Sequence, residues 1–107
     1  MQGIPFFSLK NDTTVQVVTC NSTYQIRREN AEFTWMLGGT RKDGSTRYPI
    51  WSPIMLMGST WGGSDLKIGY IGKAMLLDFY DIERDRTITT SPIRQIALIY
   101  PTGPLYL

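Results

Sequence analysis

Four carboxylates crowd residues 78–85: Asp78, Asp81, Glu83 and Asp85. Alternate side chains of a strand share a face, so Asp81, Glu83 and Asp85 would project together. Three carboxylates so placed could hold a hard cation through oxygen. The interleaved Arg84 and Arg86 point elsewhere. Acid and base alternating where a hairpin turn is expected read as a solvated turn laced with ion pairs, and no metal ligand is assigned. Glu29 and Glu32 form no recognisable catalytic pair, because glycosidase carboxylates are defined by separation in space.

Nucleophilic chemistry fares no better. The chain has no histidine, which removes the commonest general base, the commonest metal ligand and the histidine-dependent triads. Cys20 is the single cysteine, so it can form no internal disulfide and build no zinc knuckle. Without an imidazole or a helix N-terminus beside it, it reads as a small buried hydrophobe. Gly38-Gly39 and Gly62-Gly63 are not phosphate loops, since neither leads into Lys-Ser/Thr or opens a helix; they supply turns. No catalytic residue and no cofactor is assigned, and the expectation is a protein that is not an enzyme.

Binding chemistry offers two alternatives. Arg27, Arg28, Arg41, Lys42 and Arg47 lie near Trp35, Tyr48, Trp51 and Trp61 in the sequence. Small β-barrels bind single-stranded nucleic acid by stacking bases on aromatics in a basic groove, and Trp35, Arg41, Lys42, Arg47 and Tyr48 would form such a site. The favoured alternative is a protein interface. Both ends are apolar, with Ile4-Pro5-Phe6-Phe7 at one and Leu105-Tyr106-Leu107 at the other. Trp51, Trp61, Met55 and Met57 add the aromatic and methionine content of contact surfaces. The interface residues expected are Phe6, Phe7, Trp51, Trp61, Leu105, Tyr106 and Leu107. An apolar tail with Pro101 and Pro104 should pack against its own barrel or against a neighbouring subunit.

The elements that would position these residues read as strand, turn, strand. Thr14–Thr19 and Ser22–Arg28 alternate, with Tyr24 and Ile26 on one face and Cys20-Asn21 as a bulge or tight turn between them. Residues 32–37 follow, then a hairpin turn at Arg41–Ser45, where Asp43-Gly44 is the signal. Tyr48–Met57 is apolar but carries Pro49 and Pro53, which predicts an edge or bulged strand. Residues 59–65 read as a loop, 66–79 as strand broken by Gly69 and Gly72, and 81–86 as a charged turn. Thr87–Thr90 and Ile93–Tyr100 are two closing strands. No amphipathic helix of three turns is present. Short strands at this spacing predict a small all-β antiparallel barrel or two-sheet sandwich, with one short helical turn at most.

Three fragments, Thr19-Cys20-Asn21-Ser22-Thr23-Tyr24, Ile71-Gly72-Lys73-Ala74-Met75 and Thr90-Ser91-Pro92-Ile93, resemble an ordered pattern in small uncharacterised bacterial and phage β-proteins. The resemblance implies an all-β fold and assigns no site. A phage particle component, such as a small capsid, decoration or tail protein, is the setting it suggests. The hydroxyls of Thr19, Ser22, Thr89, Thr90 and Ser91 also have a plain role in bonding neighbouring backbone at strand ends.

Composition bounds the rest. A chain of 107 residues, 42% hydrophobic and 19% charged, is ordinary globular material and reads as one domain, 1–107, with apolar end segments at about 1–9 and 99–107. A net charge of +2 is too small to make a polyanion an obligate partner. No cleavable signal pattern occurs, and no apolar run approaches the roughly 18 residues that span a bilayer. The sequons at Asn11 and Asn21 therefore read as coincidence, and synthesis in a reducing cytoplasm is expected, with virion association as an extension. The expected function is a non-catalytic structural subunit that associates with itself or another protein. Single-strand nucleic-acid binding is the alternative, and no membrane partner is expected.

Overall fold

The computed structural model describes residues 2–107 and is almost entirely strand. The elements are β1 (Gly3–Pro5), a 3-10 turn (Phe6–Ser8), β2 (Thr13–Thr19), β3 (Ser22–Arg28), β4 (Thr34–Arg41) and β5 (Thr46–Thr60). Then come β6 (Lys67–Ile68), β7 (Tyr70–Gly72), β8 (Leu76–Asp81), β9 (Arg86–Tyr100) and β10 (Gly103–Tyr106). Pairing runs β9–β2–β3–β4–β5–β8 and returns to β9, every neighbour antiparallel, so six strands close a barrel. Closure protects these strands except where β5 before Ile54 and β9 before Ile93 have a single partner.

Alternation decides which side chains enter. Val15, Val17 and Thr19 of β2, Tyr24 and Ile26 of β3, and Leu77, Phe79 and Asp81 of β8 all point inward, while Gln25 and Arg27 stay at the surface. Each large apolar side chain so placed contributes roughly 1.5–3 kcal/mol. Phe79 sits edge-on to both Tyr24 and Tyr48, with ring centroids 6.1 Å apart in each pair.

Two long strands carry the closure. β5 pairs with β4 as far as Ile54 and with β8 from Ile54 onward. β9 pairs with β8 up to Pro92 and with β2 from Ile93. Tyr48–Met57 is thus bulged and one-sided where its prolines lie, as expected, and has partners on both sides only at Ile54. Its prolines are tolerated because they fall in the half of β5 that pairs only with β4, Pro49 within the register slip opposite Met36–Gly38 and Pro53 beside Trp35. The expected break at Ser91-Pro92, by contrast, is absent. Pro92 lies where β9 exchanges one partner for the other, and the strand continues through it.

Both end segments fold onto the barrel. β1 pairs with β7, and Ile4, Phe6, Ile71 and Met75 are buried as a stopper at the end opposite the β8–β9 turn. The Phe6 N–H donates to the Gly69 carbonyl at 2.8 Å, fixing the 3-10 turn beneath the strands. The tail forms β10, a hairpin partner of β9, and the Leu107 N–H donates to the Ile96 carbonyl at 2.9 Å.

Candidate functional site

The other end of the barrel is a mouth ringed by the turns after β2, β4 and β8. Asp81, the last residue of β8, is fully buried there. Its carboxylate accepts from the Tyr48 hydroxyl at 2.7 Å, from the Arg84 backbone N–H at 3.0 Å and from Arg84 Nη1 at 3.0 Å. Burial alone would raise the Asp81 pKa; the three donors outweigh it and hold the carboxyl below the usual aspartate value. Tyr48 is pushed well above the ordinary phenol range by burial first and by its bond to Asp81 second. The Arg84 guanidinium lies over the Tyr48 ring, 5.4 Å from its centroid.

Above this lock, Arg41, Arg47, Arg84 and Arg86 line a cavity of about 290 Å³ together with Ser45 and Thr46. A second cavity of about 240 Å³ shares Arg41 and Arg47 and is faced by Thr19, Asn21, Ser22 and Thr89. Gly39 makes room for the crossing. Its φ is +71°, and a Cβ there would meet the Tyr24 ring at 3.0 Å and the Arg47 Cβ at 3.2 Å.

The outer wall is apolar along β5. Ile50, Trp51 and Met55 are 73, 37 and 60% exposed. Pro53 stands opposite Trp35 of β4, and Met55 opposite Tyr80 of β8, so the apolar surface continues across three strands. On β10, Leu105 and Tyr106 are 52 and 56% exposed.

The expected interface residues therefore part company. Trp51, Leu105 and Tyr106 are at the surface, Trp61 is exposed just past β5, and Phe7 is half-exposed with its ring over Gly69. Phe6 is fully buried in the stopper, and Leu107 packs against the core, so neither side chain faces outward as a contact residue. A phenylalanine that fills the barrel end cannot also be offered to a partner.

The nucleic-acid set does not assemble. Tyr48 is completely buried, its ring between Phe79 and Arg84, and cannot stack on a base. Trp35 lies at the far end of β4 from Arg41, about 20 Å along an extended strand, and its indole nitrogen is buried. Arg41, Lys42 and Arg47 do cluster at the mouth, without an aromatic platform beside them.

The acidic run disperses too, because β8 ends at Asp81 and residues 82–85 turn. Asp78 accepts from the Thr89 hydroxyl and Asp85 from the Tyr80 hydroxyl. Among the described residues no three His, Cys, Asp or Glu side chains converge on a metal position. The buried Tyr48–Asp81 pair was the feature hidden in the sequence; the alternation Leu77, Phe79, Asp81 was its signal. Ser64 and Lys67 stand at a serine–lysine spacing that sequence reading passed over, but both are exposed, and the Lys67 ammonium lies 5.7 Å from the Tyr70 ring centroid. Cys20 is partly exposed, with Arg94 Nη1 3.6 Å from its sulfur.

Among the described residues no helix is long and apolar enough to cross a membrane. No protein-family model matches the chain, and neither a curated protein nor a solved structure does.

Proposed function

We propose that this chain is a non-catalytic structural subunit that assembles with further copies of itself through the outer face of β5 and the β10 edge. The observation that carries the reading is the exposure of Ile50, Trp51 and Met55 along β5, which a lone barrel leaves in water. Each such side chain forgoes roughly 1.5–3 kcal/mol by staying solvated, and several of them on one strand support a contact surface. β10 adds to it, since it pairs with β9 alone and presents Leu105 and Tyr106 beside a free edge. Such an edge accepts a strand from a neighbour. A phage particle component is the setting that the short sequence resemblance suggests.

Light scattering across a concentration series tests the assembly. The wild-type chain should exceed its 12.2 kDa monomer mass, and Met55→Lys should return it toward that mass without lowering its melting temperature. Removing residues 105–107 should act in the same direction. A wild-type chain that stays monomeric throughout the series would defeat the reading.

A further inference from the structure

We propose that the barrel mouth is a binding site for a small oxyanion ester, a phosphate or sulfate carried on a polyhydroxylated molecule. Four arginines line one cavity, and among the described residues only Arg84 of the four has an ion-pair partner, Asp81. Two carboxylates of the bounding turns are held by hydrogen bonds within their own hairpins. Asp43 accepts from the Ser45 N–H at 2.9 Å and the Ser45 hydroxyl at 2.6 Å, and Asp85 accepts from Tyr80. Arg41, Arg47 and Arg86 thus bring positive charge to one concavity with no carboxylate at ion-pair distance among the described residues, and Asp43 offsets Arg41 only from further off.

Such a gathering costs Coulomb repulsion that a bound anion relieves, and the planar guanidinium fork matches a phosphate oxygen pair. Arg84 is held ready by Asp81 and the Tyr48 ring, which makes Asp81 a positioning residue. The adjoining cavity supplies the other half of the ligand. Asn21 and Ser22 line it and carry amide and hydroxyl groups suited to sugar-like hydroxyls rather than to an apolar body, while the Thr89 hydroxyl is already given to Asp78. Its small size favours a single small molecule over a polymer.

Calorimetric titration of the full chain tests the site, using inorganic phosphate, ribose 5-phosphate and ribose at ionic strength held constant with chloride. Ribose 5-phosphate should bind more tightly than inorganic phosphate, and ribose should give no saturable heat. Arg41→Gln and Arg86→Gln should each weaken binding about tenfold, since a charge-assisted hydrogen bond carries that much. Arg27→Gln, at an ion pair with Asp12 on another part of the surface, should leave it unchanged. Melting curves confirm that each variant is folded. No saturable heat from either anion, or equal affinity in the Arg41 and Arg86 variants, overturns the site. Equal affinity for inorganic phosphate and ribose 5-phosphate overturns the carrier. Tighter, arginine-dependent binding of a single-stranded oligonucleotide overturns the small ligand in favour of a nucleic-acid backbone.

Discussion

The two ends of the barrel are made by the same six strands and have opposite chemistry. One is stoppered by Ile4, Phe6, Ile71 and Met75, all buried and none charged. The other is closed by a hydrogen-bonded lock of Tyr48, Asp81 and Arg84, beneath three arginines that have no ion-pair partner among the described residues. The ring closes through the six strands alone, so neither end is needed for closure. The difference teaches a division of labour: the stopper holds the fold, and above the Asp81 lock the mouth is free to carry unpaired arginines that add nothing to stability.

The largest effect should come from the stopper. Phe6→Ala should cost about 3–5 kcal/mol, read as a lower urea midpoint at unchanged slope. A loss under about 1 kcal/mol would break the comparison, since the barrel would then stand without its plug. Asp81→Asn at the mouth should cost less, about 2 kcal/mol, because Arg84 is half in water and its pairing is screened. This effect should also depend on pH. The Asp81 carboxyl titrates below its unfolded value, so its contribution is complete above about pH 4 and fades as pH falls through the lower folded value. The stability gap between wild type and Asp81→Asn should therefore close in acid. A gap that stays constant down to pH 2 would show that Asp81 acts by shape alone.

How much of this was legible follows from how local each signal is. β2, β3 and the Asp43-Gly44 turn were readable because alternation and turn chemistry sit within a few residues. Ring closure was not, because β2 meets β9 and β5 meets β8 only after the chain has travelled far. Phe6 and Phe7 show the limit most sharply. They are adjacent and identical, yet one is buried and the other half-exposed, because both lie in a 3-10 turn whose successive side chains point in different directions. Asp81 misled for a related reason. Within a run of charges it looked like turn surface, while its true environment was set by Tyr48, far along the chain on another strand. The arginine cavity is assembled from two hairpins, and no single stretch announces it.

Gly39→Ala sharpens the comparison at the mouth itself. The left-handed backbone and the contacts with Tyr24 and Arg47 should together cost about 1–2 kcal/mol. The measurement is the urea midpoint, with phosphate titration alongside. If the stability loss appears and anion binding is unchanged, Gly39 serves the strand crossing and does not set the position of Arg47.

The smallest effect is the most discriminating, because its sign separates the two kinds of charge on this barrel. Among the described residues Arg86 has no ion-pair partner and it shares its cavity with three other arginines, so Arg86→Gln removes repulsion. At low ionic strength the melting temperature should rise, by about 2 °C or less, and the gain should vanish near 1 M salt, where screening acts within about 3 Å. Arg27 is paired with Asp12 at 2.9 Å, so Arg27→Gln should lower the melting temperature slightly and lose that effect in the same salt. Opposite signs that converge at high salt are what an uncompensated mouth requires. If both substitutions destabilise equally and salt changes neither, Arg86 contributes packing, and the mouth is part of the fold's support after all.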